Sequence, residues 1–177
     1  MTEDFLEVHL SQDEKDDIDD KDEYFMRLAL AQARIAKELG EVPVGAIIVR
    51  GEKIIAQTHN RRELDKDPTA HAECLAIKAA AEYIGDWRLE HCTLYVTMEP
   101  CPMCAGALWL SRIERCVYGC ADPRAGFLGS ISNLMEHQEL NHHYKVSGGV
   151  LAEECANELK TFFRQIREQR KEAKKDK

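Results

Sequence analysis

The stretch "EPCPMCAGA", Glu99 to Ala107, decides how this chain is read. It carries two cysteines with two residues between them, Cys101 and Cys104, with prolines on either side of the first. The apolar run "TLYVT" just before it reads as an interior strand. "PMCAGALWLSR" reads as a helix with Pro102 at a first-turn position, where its missing N–H costs little. Both thiols then sit at the positive end of a helix, which favours thiolate over thiol. A Cys-x-x-Cys pair is either a redox couple or half of a metal site, and a metal site needs donors from elsewhere in the chain.

The best source is "DPTAHAE", Asp67 to Glu73, which opens another helix, "HAECLAIKAAAEYIG", closed by Gly85. His71 offers an imidazole, and Glu73 a carboxylate two residues on. Residues two apart on an ideal helix do not share a face. They converge only in the first turn, where Pro68 puts them. A structural zinc takes four protein ligands, whereas a catalytic zinc takes three and keeps a position for water. A closed four-ligand site needs another donor and leaves Glu73 without a purpose. A thioredoxin-like couple leaves the whole H-A-E segment unused.

Around these two segments the pattern alternates. "EYFMRLALAQARIAKELG" repeats its apolar residues at helical spacing and ends at Gly40, with Pro43 preventing continuation. "VGAIIVR" and "KIIAQTH" flank the turn "GE" as a hairpin. "RCVYG" is another strand, "ISNLMEH" a short helix, and "KVSGGVL" an edge strand broken by glycines. "ECANELKTFFRQIREQRKEAKK" is a long last helix with a basic C-terminal end, as its dipole prefers. Strands alternating with helices imply an α/β chain whose sheet is covered on both faces.

The chain has 177 residues, 44% of them hydrophobic, which suits one self-sustaining core. Its net charge of −8 is uneven: residues 1–22 carry all of it, the rest balances, and the segment from Lys160 onward is +5. Residues 1–22 are expected to be a disordered acidic extension, and 23–177 a single domain with a basic C-terminal helix. Seven cysteines, an odd number, with no secretory signal at the start, argue against a disulfide framework and for a cytoplasmic protein.

The pairing of H-x-E with P-C-x-x-C resembles the known pattern of zinc-dependent base-modifying deaminases. With "GEVPVGA", "HN" at His59 and Asn60, "SRIERCVYG", "DPRAGFLGS" and "LAEECANELKTFFR", the chain resembles the bacterial tRNA-specific adenosine deaminases over about Glu23 to Lys171. The resemblance implies a three-layer cytidine deaminase-like fold with a mixed five-stranded sheet. It implies one Zn2+ per subunit on His71, Cys101 and Cys104, and Glu73 as the proton-shuttling catalytic residue. It also implies Asn60 and Asp122 as substrate contacts, a tRNA anticodon stem-loop as substrate, and a homodimer. The reaction would be hydrolytic conversion of adenosine to inosine at the wobble position. Arg124 stands where lysine is expected in the family turn, and the acidic extension has no family counterpart.

An RNA reading needs cations and stacking surfaces. The candidates are Arg61, Arg62 and Lys66 beside Asn60, then Arg124 and Phe127 in the 122–130 segment, and finally Lys160, Arg164, Arg167, Arg170 and Lys171 on the last helix. Phe162 and Phe163 are adjacent, so they cannot both point inward. Two alternatives stay open at this point. One is a deaminase of a free base or nucleoside, of guanine or cytosine type, which would not need the basic helix. The other is a zinc-stabilised nucleic-acid-binding module without catalysis.

Overall fold

A computed structural model describes residues 20–175. Their order is α1 (Lys21–Glu38), β1 (Gly45–Arg50), β2 (Lys53–His59), a one-turn α2 (Arg62–Asp65), α3 (Ala72–Ile84) and β3 (Cys92–Met98). Then come α4 (Pro102–Leu110), β4 (Arg115–Cys120), a 3-10 turn at Leu134–Glu136, β5 (Lys145–Gly148) and α5 (Ala152–Lys175). The strands form one mixed sheet in the order β2-β1-β3-β4-β5. β1 is antiparallel to both β2 and β3, while β3, β4 and β5 run parallel.

The pleat divides the core in two. Ala46 and Ile48 of β1 and Leu94 and Val96 of β3 face a cluster with Ala76 and Ala80 of α3 and Leu108 of α4. Their neighbours Ile47, Val49 and Tyr95 face the other way, onto Phe25, Leu28 and Ala29 of α1 and Cys155 and Leu159 of α5. Alternation along interior strands thus produces three layers, helix pair over sheet over helix pair, as the resemblance implied. At Gly45 a Cβ would overlap the backbone of Ala29 and Ala33, so glycine is what lets α1 lie directly on β1.

Two details depart from the sequence reading. Of the expected extension, residues 1–19 lie outside the described residues, but Lys21 and Asp22 are already helical. Asp20 caps that helix by accepting the Asp22 N–H at 2.8 Å. Asp22 accepts both guanidinium nitrogens of Arg115, at 2.9 and 2.6 Å, and the Tyr95 hydroxyl at 2.8 Å. The first turn of α1 is therefore bolted to β3 and β4. The "ISNLMEH" segment forms only the 3-10 turn, capped by Asn133 accepting the Met135 N–H at 3.1 Å. The seven cysteines are all free. No described helix is long and apolar enough to cross a membrane.

Candidate active site

One edge of the sheet collects the start of β1 and the ends of β2, β3 and β4. In a sheet with parallel strands, ligands bind in the crevice outside the strands' carboxyl ends. A cavity of about 230 Å³ lies there, lined among others by Val44, Asn60, His71, Glu73, Cys101 and Asp122. Such a volume suits one base better than a drug-sized ligand.

Two helix starts supply the reactive groups. His71 is the N-cap residue of α3 and Cys101 that of α4, with Pro102 at N1 of α4. Cap residues have extended backbones, so their side chains leave the helix axis and can meet those of the first turn. His71 Nδ1 lies 3.8 Å from Cys101 Sγ and 3.5 Å from Cys104 Sγ. The three donor atoms all lie within 4.8 Å of one another and could hold a metal ion. Among the described residues no fourth His, Cys, Asp or Glu joins that group. Cys74 lies outside that group, with its Sγ 3.8 Å from Cys104 Sγ.

The clustered donors shift one another's protonation, and a bound cation would take the place of the protons on His71 and Cys104. The Cys104 thiol beside it, with His71, holds Cys101 down to about 4 against the effect of burial. Cys104 is held up in turn, because a second thiolate next to Cys101 and Cys74 is disfavoured. The Cys101 sulfur raises His71. Glu73 is pushed up by burial, which outweighs the help of its own N–H, His71 and Cys104.

Two buried carboxylates missed in the sequence reading hold residues of the cavity lining in place, Glu99 from within it and Glu41 from behind Asn60. Glu99 accepts the N–H groups of Asp122, Leu128 and Ser130, each at 3.0 Å, as well as the Ser130 hydroxyl. It therefore organises the loop that carries Asp122. A Cβ at Gly126 would overlap that carboxylate, which explains the glycine. Glu41 accepts from Asn60 Nδ2 at 2.9 Å and from the N–H groups of Glu63 and Leu64 at 2.7 and 2.8 Å. Both residues stand in segments quoted above, "GEVPVGA" and "EPCPMC". Nothing local marks them, because their partners lie about 20 to 30 residues away.

The expected RNA contacts divide. Arg62 lines the cavity. Arg61 instead forms a two-pronged ion pair with Asp65, at 3.0 and 2.9 Å. Phe127 is half-buried and packs against the core, so it lines neither the cavity nor its neighbour. Arg164 is exposed but lies outside both linings. Beside the cavity, sharing Met98 and Asp122 with it, runs an open groove of about 570 Å³ lined by Arg124, Lys160, Phe163 and Arg167. Phe162 is buried and Phe163 is 43% exposed, so the adjacent pair splits between core and groove.

Residues 19–167 match the model of the MafB19-like deaminase family. The chain is 49% identical over 156 residues to the tRNA-specific adenosine deaminase of Bacillus subtilis, covering 88% of this chain and 97% of that protein. It is 47% identical over 151 residues to the enzyme of the same name from Haemophilus influenzae, covering 85% and 87%. A solved structure from work on A-to-I editing by tRNA:A34 deaminases superposes with a TM-score of 0.74 at 42% identity, covering 76% of this chain and 98% of that one. A guanine deaminase from B. subtilis superposes less closely, with a TM-score of 0.55 at 35% identity over 66% of this chain and 74% of that one. With the donor cluster, the buried glutamate and these relatives in agreement, the chain belongs to the tRNA-specific adenosine deaminases.

Proposed function

We propose that this protein is a zinc-dependent enzyme that hydrolyses adenosine to inosine at the wobble position of a tRNA anticodon, and that it works as a homodimer in the cytoplasm. The observation that carries the reading is the convergence of His71, Cys101 and Cys104 on one cavity with the buried Glu73. Zinc bonds of about 2.3 Å to sulfur and 2.0–2.1 Å to nitrogen, arranged tetrahedrally, place N and S donors about 3.5 Å apart. The separations of 3.5 and 3.8 Å fit that requirement.

His71 Nδ1 and the two sulfurs would hold the ion, which when bound acidifies a water at its open position. Glu73 would take one proton of the attacking water and deliver it to the ring nitrogen as the water oxygen adds at the amine-bearing carbon. It would then carry the remaining hydroxyl proton to the amine, so that the C–N bond breaks, ammonia leaves and the carbon keeps a carbonyl oxygen. The upward shift of Glu73 suits a carboxyl that must carry a proton between steps. Asn60 and Asp122 grip the nucleoside, Asp122 by accepting from ribose.

The groove of Arg124, Lys160, Phe163 and Arg167 supports a polynucleotide substrate over a free base. It offers cations for phosphates and an aromatic face for stacking next to the cavity. A free-base deaminase has no use for it. For the dimer, Met103 and Leu110 are seven residues apart on one face of α4, 37% and 61% exposed, and a second copy would cover them. The test is incubation with total tRNA and scoring of inosine in the anticodon. Inosine at the wobble position is expected. Ammonia released from free guanine or cytosine, with no inosine in tRNA, overturns the reading.

A further inference from the structure

We propose that Glu41 is a positioning residue that dictates which end of the Asn60 amide faces the cavity, so that the bound nucleoside meets a hydrogen-bond acceptor there. The inference rests on the deaminase reading of that cavity. Glu41 is 1% exposed and follows directly on the end of α1. Its Oε1 accepts the N–H groups of Glu63 and Leu64, which fastens α2 and with it Arg62 of the cavity lining. Its Oε2 accepts from Asn60 Nδ2.

A carboxylate whose oxygens are engaged in this way only accepts. Asn60 must therefore turn its NH2 toward Glu41, and the planar amide then carries Oδ1 away from it. Asn60 is 5% exposed and lines the cavity, and its Oδ1 has no partner among the described residues. The wall thus offers lone pairs to an N–H or O–H of the ligand, such as the adenine amine or a ribose hydroxyl. A ligand with a carbonyl or a bare ring nitrogen at that point would set lone pair against lone pair. Specificity at Asn60 is in this way set by a residue that never touches the substrate, through a buried polar contact that tolerates no mismatch.

The test uses the full chain and an anticodon stem-loop RNA with a wobble adenosine. Inosine formation is followed for kcat and KM, with zinc content and melting temperature as controls. E41Q keeps an oxygen for Glu63 and Leu64 but turns an NH2 toward Asn60, which must flip and present its own NH2 to the cavity. Its kcat/KM is expected to fall on the order of 10- to 100-fold, mostly through KM. N60D sets two carboxylates face to face and should lose at least as much. E41Q/N60D leaves total charge unchanged. The new amide donates to the new carboxylate, whose other oxygen restores the acceptor, so kcat/KM should return to within about tenfold of wild type. A double variant no better than E41Q overturns the proposal, because a cavity that uses the second Asn60 N–H predicts that outcome. A merely structural Glu41 predicts instead that kcat/KM follows melting temperature across the three variants, since the reciprocal pair also rebuilds the buried hydrogen bond, so losses in kcat/KM that only track lost stability overturn it too. If the wild type forms no inosine, the deaminase reading falls and this proposal with it. Inosine from wild type without rescue in the double variant sinks the proposal alone.

Discussion

Glu73 and Glu99 line the same cavity, and both are almost wholly buried, at 4% and 2% exposure. Their environments differ. Burial also works to raise Glu99, but the Ser130 side chain and the N–H groups of Asp122, Ser130 and Leu128 outweigh it, and its carboxyl is held below the usual range. Glu73, in the first turn of α3, receives too little help to offset burial and is held above it. A buried carboxylate saturated with donors is committed to one charge state and one shape, so it builds a wall. One left short of donors can take up and release a proton. Both side chains are shut off from solvent, but burial weighs more heavily on Glu73 and donors are richer at Glu99, and the two together separate scaffold from chemistry.

The contrast can be broken from either side. The largest effect is expected from E73Q, which keeps shape and removes the proton carrier. Turnover should fall by about 10²–10⁴-fold, with bound zinc and melting temperature unchanged, measured by inosine formation and metal analysis. Retained turnover would remove Glu73 from the reaction. E99A should do the reverse and act on stability first. Three loop N–H groups lose their acceptor, which costs roughly 3 kcal/mol, or about 6–12 °C in Tm. G126A should disturb the same loop by about 1–3 kcal/mol, because its Cβ would overlap the Glu99 carboxylate. An E99A protein that melts like wild type would mean the loop is held by something else.

The groove next door sharpens the same division. F163A should weaken anticodon stem-loop binding on the order of tenfold. R167A should lower the salt slope of binding by about one. Neither variant should change Tm, and equal loss of free-nucleoside turnover would show that the groove is not a separate RNA surface.

The smallest effect belongs far from both glutamates, at Asp22, whose side chain is 22% exposed. Burial raises it, but hydrogen bonds from Arg115 and Tyr95 outweigh that and leave it below the ordinary value of 3.8. A carboxyl depressed in the folded state stabilises the fold above its unfolded value, and the contribution disappears as pH falls through the folded one. D22N should therefore be slightly less stable at pH 7 and lose less stability below about pH 4 than wild type. Denaturant titrations at pH 7 and pH 3 check this, and parallel curves would deny Asp22 its coupling to Arg115.

Much of this was legible from the chain alone. Apolar periodicity set the helices and the interior strands, glycines and prolines marked their ends, and the H-A-E and C-P-M-C segments named the chemistry. Local spacing suffices there, because a cap residue and its first turn are neighbours in sequence. The residues that line the cavity and the groove were less legible. Arg61, Phe127 and Arg164 have the right residue types, but Asp65, the core and the pitch of α5 decide that they line neither the cavity nor the groove. Lys160 and Arg167 reach it, and the exposed half of the Phe162–Phe163 pair supplies its aromatic face.

What the sequence by itself determined is therefore a set of donors and the helix starts that hold them, since those depend on contacts within a few residues. Only the tertiary structure decided what Glu41 and Glu99 do. Their hydrogen bonds to other segments span 19 to 31 residues. They form only when β1, β2, β3 and β4 bring their ends to one edge of the sheet. A carboxylate's role is set by the donors the fold places around it, and no window of sequence contains them.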